Sequence, residues 1–350
     1  MNRYDLAVYI GRFQPFHDGH LACVRQALDL ASNLVVLVGS INRPRNIRDP
    51  FGYAERREMI ESALPAELRE RVVITGVADR LYNLSSWVAG VQGAVDGIVA
   101  AVAGGEASIT LVGHRKDHSS SYLDLFPQWD FSPVEPVSML SATEIRDVLL
   151  GEGVSDLDEI LAAQPLPDGV KSYLRDWIRS EPDAWEALRQ EWAFVRRYRS
   201  QFAALPYPPI FQTVDAVVLQ AGHILMVERG AQPGRGLLAL PGGFLDVDET
   251  IEDAVIRELR EETGIKVPEP VLRGSIRARA RYDDPQRSLR GRTITDAFLF
   301  ELRPGPLPRV KGGSDARKAQ WISLAEFQSL ESRIYEDHYH IVQDLLGRAV

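Results

Sequence analysis

The chain has 350 residues, of which 45% are hydrophobic, and its 40 basic and 49 acidic side chains give a net charge of -9. This length allows about two domains, each with an ordinary packed core. The acidic balance disfavours a nucleic-acid-binding protein, which would present a basic surface, although a locally positive pocket could still bind a small anion.

Cysteine usage and hydropathy bear on the compartment. Cys23 is the one cysteine in the sequence, so no intramolecular disulfide can form, and its apolar neighbours predict a buried structural thiol. The N-terminal residues lack the long apolar region of a signal peptide, and no apolar stretch approaches the ~20 residues of a membrane span. The sequence therefore predicts a cytoplasmic protein without a membrane partner, and it leaves a homo-oligomer open.

In the first half of the chain, short apolar runs alternate with stretches of helical periodicity. We predict strands at residues 6–10, 34–38, 72–77 and 109–112, and helices at 20–31, 54–64 and 87–103. The continuous apolar run at 34–38 is typical of a strand covered on both faces. This alternation predicts an α/β domain with a parallel sheet and helices on both faces.

Helices are predicted from Ser141 to about residue 204. Ser141 and Glu144 have the spacing of a capping box, and a proline-rich segment at 205–209 ends the last helix. We therefore predict a first domain at 1–180, a helical linker at 181–206 and a second domain at 207–350. The linker shows no chemical motif, and its stripe of Trp185, Leu188, Trp192 and Val195 predicts packing.

The second domain has a different pattern. Residues 212–220 and 223–228 predict a hairpin that turns at Ala221–Gly222, and a helix is expected from about 250 to 263, followed by a strand at 295–302. The pattern predicts an α+β domain with a mixed sheet and few helices.

The string Gly11-Arg12-Phe13-Gln14-Pro15-Phe16-His17-Asp18-Gly19-His20 follows the first strand and opens a helix. Backbone N–H groups at a helix N-terminus bind phosphate, and glycines allow close approach of the backbone. Two histidines three residues apart can both donate hydrogen bonds to one phosphate group. Taken alone, such a pair would more often be polar surface or a metal pair, but this setting favours phosphate chemistry.

This string resembles the H-x-G-H motif of the nucleotidyltransferases, and in particular the archaeal-like nicotinamide-mononucleotide adenylyltransferases. Ser141-Ala142-Thr143-Glu144-Ile145-Arg146 is similar to the second signature of that superfamily. The resemblance implies a Rossmann-like domain that transfers AMP from ATP directly to nicotinamide mononucleotide, giving NAD and pyrophosphate, with Mg²⁺ screening the phosphates. It makes His17, His20 and Arg146 the catalytic candidates; the expected substrate-binding residues are Gly11, Arg12, Phe13, Gly19, Gly113, Ser141 and Thr143.

Recognition of the nicotinamide rests on Asn83 and Trp87, which resemble an Asn…Trp segment of the same enzymes. An indole ring offers a flat face to a cationic pyridinium. Trp87 could instead be a core residue of its helix, and another mononucleotide could be the substrate. His114, Arg115 and Lys116, and also Arg43, Arg45 and Arg48, could contact phosphates or be solvated surface charges.

A second motif begins at Gly243, continues with Glu249 and ends with Arg257-Glu258-Leu259-Arg260-Glu261-Glu262-Thr263-Gly264-Ile265. The three glutamates project from one side of the predicted helix, and their mutual repulsion favours binding of Mg²⁺ or Mn²⁺. The opposite side carries the apolar row Ile251, Val255 and Leu259. An acidic helix face alone would be weak evidence, since such faces are common and usually solvated.

The whole pattern matches the Nudix box, and the resemblance implies a metal-dependent pyrophosphohydrolase. The metal ligands it implies are Glu258, Glu262 and Glu261 with the carbonyl of Gly242, while Arg257 orients the acids. The general base stays open among Glu261, Glu249 and, less strongly, Glu336 or Asp337.

Fusions of this layout resemble enzymes whose second domain cleaves ADP-ribose to AMP and ribose 5-phosphate. The basic segment 287–293, including Arg292, could bind the second phosphate or a ribose, or could be a solvated loop. A different nucleoside diphosphate derivative would be a second candidate substrate. A C-terminal domain that senses its ligand without cleaving it is the alternative of another class.

Overall fold

The computed structural model describes residues 3–102, 104–114, 118–135, 141–151, 156–313 and 316–348. The chain divides into two compact units, Met1–Arg189 and Gln190–Val350. The division lies within a helix, Pro182–Ser200, that falls in the predicted linker. The second half of that helix is therefore a part of the second unit.

Within the described ranges, the first unit contains a five-stranded, fully parallel sheet in the order β3-β2-β1-β4-β5. Its strands are β1 (Tyr4–Gly11), β2 (Ala31–Val38), β3 (Val72–Gly76), β4 (Ile109–Gly113) and β5 (Asp130–Pro133). The helices around it are α1 (Asp18–Leu30), α2 (Tyr53–Ala63), α3 (Ala66–Arg69), α4 (Leu84–Val102), α5 (Ala142–Leu150), α6 (Leu157–Ala163), α7 (Asp168–Ser180) and the first part of α8 (Pro182–Ser200). The predicted Rossmann-like architecture is confirmed.

The strand order places the candidate phosphate site. β1 is the central strand and pairs with β2 on one side and β4 on the other, so the order reverses beside it. In open parallel sheets, ligands bind at the carboxyl ends of the strands at such a reversal. The first predicted motif begins at Gly11, which is the last residue of β1. As predicted for a strand covered on both faces, Leu34 through Val38 have no solvent exposure.

The second unit contains a mixed sheet, whose path in the described residues is β10-β11-β6-β7-β12, with β8 paired to β7 and β9 to β6. Its strands are β6 (Ile210–Gln220), β7 (His223–Arg229), β8 (Leu238–Ala239), β9 (Gly242–Phe244), β10 (Ile276–Tyr282), β11 (Arg292–Glu301) and β12 (Ala316–Ser323). Helices are α9 (Ile251–Thr263), α10 (Glu269–Gly274), α11 (Leu324–Phe327) and α12 (His338–Arg348). β11 runs parallel to β6 and antiparallel to β10, which confirms the mixed sheet.

Local signals at the ends of elements agree with this architecture. The β6–β7 hairpin turns at Ala221 and Gly222, whose φ angles are +48° and +73°, as a tight hairpin requires. Thr250 caps α9 by accepting the N–H of Asp253, and Gly264 ends the helix at φ +57°. At α5, the Ser141 hydroxyl accepts the N–H of Thr143, so the predicted helix start is confirmed.

One expectation needs correction. In the part of the chain that the structure describes, α4 is long and apolar enough to cross a membrane by length and composition alone, over Leu84–Ala101 with a mean hydropathy of 1.2. Val91, Val95 and Val99 of this helix are nevertheless buried in the core of the first unit. The side of α4 that carries these three valines therefore packs against the core of the first unit.

Arg56 holds together the carboxyl ends of the central strands. Its guanidinium donates to the carbonyls of Arg12 and Gly39, at 2.9 and 2.6 Å, and to those of Ser40 and Gly52, at 3.2 Å each. The side chain is only 1% exposed. Burial lowers its pKa to about 10, so it remains charged at neutral pH.

We expect Arg56→Met to lower the free energy of unfolding of the first unit by about 2–4 kcal/mol, because buried carbonyls lose their donor. Hydrogen exchange of peptides from β1 and β2 across a urea series measures this change. Arg57→Met is the matched control, since Arg57 is exposed and pairs only with Glu61 on the helix surface. Equal behaviour of the two variants would contradict the bracing role.

Candidate functional site

The two histidines of the first motif lie together at the start of α1. Their rings are stacked with centroids 3.6 Å apart. The backbone N–H of His17 donates to Nδ1 of His20 at 3.2 Å, so Nδ1 of His20 carries no proton. In the neutral ring the proton is therefore on Nε2, which is the atom able to donate to a ligand.

Two phenylalanine rings pack against the ring of His20. The ring centroids of Phe13 and Phe16 are 4.9 and 5.4 Å from that of His20, and both phenylalanines are buried. Phe13 has a φ of +52°, and its ring occupies the space where a Cβ at Gly11 would lie, 2.7 Å away. Gly11 is thus required by the packing of Phe13, and the predicted role of Phe13 in substrate binding stays a prediction.

Arg12 and Arg146 have different surroundings. The Arg12 side chain is 47% exposed, with one guanidinium nitrogen 3.7 Å from a carboxylate oxygen of buried Asp49. Arg146 is buried and donates to the carbonyls of Gln14 and Ile47, at 2.7 and 3.1 Å, and to the Thr143 hydroxyl at 3.0 Å. Burial lowers the pKa of Arg146 to about 10. Arg146 therefore joins the motif loop to α5, and its predicted catalytic role stays a prediction.

The remaining residues predicted for the first site lie on the same sheet edge or at helix starts. Gly19 is in the first turn of α1, Gly113 ends β4, and Ser141 caps α5. Asn83 precedes α4 and accepts the N–H of Ser86 through its side-chain oxygen at 3.0 Å. Gly113 therefore lies at the carboxyl end of the sheet, and Gly19, Asn83 and Ser141 lie at helix starts.

Trp87 is half-buried in the first turn of α4. Its ring makes an edge contact with Tyr122 and a tilted contact with Phe126, at centroid distances of 6.4 and 6.0 Å. The side chain thus packs against the core and is still partly accessible to solvent. The structure is therefore compatible with Trp87 as a core residue and with Trp87 as a ligand contact, and nicotinamide stacking stays a prediction.

Three of the basic residues whose role the sequence leaves open have partners within the protein. Arg43 forms an ion pair with Asp79 at 2.7 Å, and Arg45 forms one with Glu55 at 2.9 Å. Nε2 of His114 is 3.1 Å from the Sγ atom of Cys23, which is buried as predicted. Arg115 and Lys116 lie outside the described residues.

In the second unit, Gly242 and Gly243 of β9 lie so close to their neighbours that a Cβ at either position would meet another group. A Cβ at Gly243 would lie 2.4 Å from a carboxylate oxygen of Glu258, and one at Gly242 would lie 2.1 Å from the carbonyl oxygen of Val214. Gly243 therefore lets the Glu258 carboxylate lie against the backbone of β9, and Gly242 lets β9 lie close to β6. The apolar row on the opposite side is confirmed, since Val255 and Leu259 are fully buried.

Glu262 is the most enclosed of the three glutamates, with 9% of its surface exposed. Its carboxylate accepts the N–H of Gly242 at 3.0 Å. Burial raises the pKa of Glu262 to about 8, because one backbone donor does not replace the lost hydration. A nearby cation would stabilise its charged form.

Arg257 is the counter-ion of the other acids. It donates to Glu249 through two nitrogens at 2.6 and 3.0 Å, to Glu258 at 2.9 Å and to Glu261 at 3.2 Å. The two bonds from Arg257 to Glu249 hold the pKa of Glu249 below its usual value. Glu249 is therefore an anchor for Arg257, whereas Glu261 is half-exposed and contacts Arg257 through one oxygen only.

The donor set at this turn suits a divalent cation. Glu258, Glu262 and the Gly242 carbonyl offer hard oxygen ligands of the kind Mg²⁺ and Mn²⁺ prefer. Across the described residues, no group of three histidine, cysteine, aspartate or glutamate side chains already has the geometry of a metal site. Arg257 binds Glu258 through Oε1 alone, so this guanidinium leaves the other carboxylate oxygen of Glu258 unengaged.

A cavity of about 310 Å³ opens beside Gly242, Gly243 and Glu262. This volume is at the small end of the range for small-molecule sites. Arg287 and Arg290 of the predicted basic segment line it, whereas Arg292 does not and instead has a nitrogen 4.0 Å from a carboxylate oxygen of Asp283.

The candidate bases from the last loop differ in their access to this cavity. Glu336 lines it and accepts the Leu289 N–H and the Tyr335 hydroxyl at 3.1 and 2.7 Å. Asp337 is fully buried and accepts two hydrogen bonds from Arg287, each 2.9 Å long. Asp337 therefore fixes Arg287 rather than facing the ligand space.

Sequence reasoning missed several residues that line the cavity. They come from strands and helices distant in the chain and carry no motif of their own: Phe194, Tyr198, Asp215, Arg229 and His338. His338 accepts the N–H of Leu240 through Nδ1 at 2.9 Å and has Nε2 3.7 Å from a carboxylate oxygen of Asp215. The aromatic pair at 194 and 198 has helical spacing, which was the one available signal.

Fold and site together define a nucleotidyltransferase domain followed by a Nudix domain. A family model described as cytidylyltransferase-like matches residues 8–148, and one described as the NUDIX domain matches residues 210–345. The chain is 33% identical over 202 residues, which is 57% of its length, to a nicotinamide/nicotinic acid mononucleotide adenylyltransferase of Acinetobacter baylyi, covering 97% of that protein. It is 35% identical over 133 residues, or 38% of its length, to an ADP-ribose pyrophosphatase of Methanocaldococcus jannaschii, covering 71% of that protein.

A solved structure matches both units at once. The bifunctional NMN adenylyltransferase/ADP ribose pyrophosphatase of Francisella tularensis, complexed with AMP and a manganese ion, superposes with a TM-score of 0.90 at 36% identity, covering 99% of this chain and 100% of that one. The chain belongs to this family of bifunctional NMN adenylyltransferase/ADP-ribose pyrophosphatases.

Gly243→Ala tests the close contact between Gly243 and the Glu258 carboxylate. The added methyl group must displace the Glu258 carboxylate, so we expect the affinity for Mn²⁺ to fall about tenfold or more. Titration of the full-length protein with Mn²⁺, followed by electron paramagnetic resonance, measures this. Gly274→Ala is the control, since a Cβ at Gly274 meets no heavy atom within 4 Å. Unchanged Mn²⁺ affinity in the Gly243 variant would contradict a role for this close contact in metal binding.

Proposed function

We propose that the chain is a bifunctional enzyme of NAD metabolism. Its first unit transfers AMP from ATP to nicotinamide mononucleotide, giving NAD and pyrophosphate, and its second unit hydrolyses ADP-ribose to AMP and ribose 5-phosphate. The observation that carries the proposal is that each motif folds into a site of suitable chemistry. The histidine pair lies at a helix start beside the reversal of strand order, and Glu262 of the second motif lines a cavity.

In the first unit, catalysis rests on alignment and charge stabilisation. The mononucleotide phosphate attacks the α-phosphorus of ATP, and the bond to the departing pyrophosphate breaks, with no covalent enzyme intermediate. Nε2 of His20 donates to a phosphate oxygen, and its direction is fixed by the bond between Nδ1 and the His17 N–H. The exposed guanidinium of Arg12 adds positive charge at the same loop.

In the second unit, Glu258, Glu262 and the Gly242 carbonyl would hold a divalent cation, and Glu261 is a further candidate ligand. We propose Mg²⁺ as the ion in use, with Mn²⁺ able to replace it. When bound, the cation supplies charge neutralisation of the diphosphate and activation of a water molecule. Restoration of hydrolysis in EDTA-treated enzyme by each ion separately tests this choice.

Hydrolysis is favoured over a purely sensing role by the surroundings of the glutamates. Glu258 and Glu262 are both substantially buried, and burial raises the pKa of each carboxyl. Keeping such carboxylates charged costs free energy unless a cation offsets it. A domain that only binds its ligand has no need of this arrangement.

The protein is further proposed to be cytoplasmic.

Two substitutions in the full-length chain should separate the activities. We expect His20→Ala to lower NAD formation about 100-fold or more and to leave ADP-ribose hydrolysis unchanged, because the donor to the phosphate is lost. Glu262→Gln should have the opposite effect, since the amide is a poor metal ligand. Chromatography of products from ATP with nicotinamide mononucleotide, and from ADP-ribose, measures both. Equal hydrolysis by wild type and Glu262→Gln would remove the metal hypothesis.

Trp87→Ala tests recognition of the nicotinamide. If the indole stacks on the pyridinium, the KM for nicotinamide mononucleotide rises about fivefold or more, while the KM for ATP changes little. Trp87→Phe keeps an aromatic face and should recover part of the loss. A KM that stays at the wild-type value in a folded Trp87→Ala protein would assign the indole to core packing alone.

A further inference from the structure

We propose that the second half of α8 and Arg290 form a substrate-binding wall of the Nudix cavity. In this wall, Phe194 and Tyr198 bind the aromatic base of a nucleoside diphosphate sugar, and Arg290 binds its phosphates. The proposal rests on the proposed hydrolase function and names the part of the site that selects the nucleotide. The residues of α8 concerned lie before residue 210, where the match to the NUDIX family model begins.

The aromatic part of the wall comes from two residues one helical turn apart. Phe194 and Tyr198 both line the cavity, are half-buried, and have nearly parallel rings, with centroids 6.2 Å apart and an interplanar angle of 22°. Residues four apart on a helix project from the same side. Accessible aromatic faces in a cavity that also holds phosphate-binding chemistry favour a flat heterocycle as the ligand.

Arg290 is the cation of this wall, and its guanidinium packs on an aromatic ring. Its guanidinium carbon lies 4.8 Å from the ring centroid of Phe244, the residue after the Gly242–Gly243 turn. Among the described residues its side chain has no hydrogen bond or ion pair, and its buried Nε atom has no acceptor. A buried donor of this kind is costly unless an anion binds it.

The neighbours of Arg290 have fixed contacts. Arg287 is bound by Asp337, and the carbonyl of Leu289 accepts two hydrogen bonds from Arg199 of α8, at 3.0 and 2.7 Å. The N–H of Leu289 donates to Glu336 at 3.1 Å. The backbone that carries Arg290 is thus held by contacts on both sides.

α8 also holds the opposite rim of the cavity. Buried Glu191 accepts the N–H of Gly234 at 2.9 Å and so fixes the loop that contributes Gly230, Ala231 and Gln232 to the lining. Gly234 has a φ of +76°, and a Cβ there would lie 2.3 Å from the ring of Tyr335. One helix therefore supplies two aromatic residues and braces two loops of the same cavity.

The test uses the full-length enzyme and inhibition of ADP-ribose hydrolysis by each product. AMP contains a base and a phosphate, whereas ribose 5-phosphate contains a phosphate without a base. We expect Phe194→Ala and Tyr198→Ala to raise the inhibition constant of AMP about fivefold or more and to leave that of ribose 5-phosphate within about twofold. Tyr198→Phe should behave as wild type, and Tyr207→Ala is the control for loss of an exposed tyrosine.

Arg290→Ala should raise the inhibition constant of AMP and the KM for ADP-ribose about tenfold or more, with partial recovery in Arg290→Lys. Arg277→Ala is the control, because Arg277 is a surface residue paired with Glu301. A larger effect of Arg292→Ala than of Arg290→Ala would overturn the arginine assignment. A loss confined to ribose 5-phosphate in the aromatic variants would overturn the base assignment, as would unchanged constants throughout.

The failure of the underlying function gives a different result. If the wild-type enzyme leaves ADP-ribose intact and cleaves another nucleoside diphosphate derivative, the substrate of the proposed function is wrong. The same inhibition series, read with the substrate that is cleaved, then still decides the roles of Phe194, Tyr198 and Arg290. Circular dichroism and thermal unfolding of each variant separate loss of binding from loss of the fold.

Discussion

In both candidate sites, another group of the chain fills the space that a side chain at a strand glycine would occupy. At Gly11 the ring of Phe13 fills the space, and that ring supports His20. At Gly243 the carboxylate of Glu258 fills it. A larger residue at Gly11 would displace the ring that supports His20, and one at Gly243 would displace the Glu258 carboxylate. The motif glycines are therefore required by the internal packing of each site, whatever they also allow a phosphate to do.

Buried arginines brace the loops that these close approaches create. Arg56 and Arg146 donate to backbone carbonyls, and Arg287 is paired with Asp337. A buried guanidinium is tolerated when its donors are satisfied, and it then fixes the groups around it. Charge available for a ligand must come from arginines whose donors are not used in this way. Arg12 and Arg290 are of that kind, and sequence position alone does not distinguish them from the bracing residues.

The elements predicted from the sequence were those with local signals. The apolar run of β2, the hairpin turn at Ala221 and the cap and stop of α9 each depend on neighbouring residues, and each is confirmed. The short edge strand β5 and the strands β10 and β12 had no such signal. The cavity wall was missed because helical spacing predicts a face of α8 and not what that face contacts. Arg290 and Arg292 flank Gly291, whose φ of +152° reorients the chain, so no periodicity predicts which of them faces the cavity.

The glutamates of the Nudix motif divide into two kinds by the partners they have. Glu249 shares two hydrogen bonds with Arg257, so its pKa is lowered and it stays charged at neutral pH. Glu262 has one backbone donor and is buried, so its pKa is raised to about 8. A bound cation would therefore stabilise the charged form of Glu262, whereas Glu258 already has Arg257 as a counter-ion. Because Glu249 holds Arg257 independently, the guanidinium can give up Glu258 and still keep its place beside the helix.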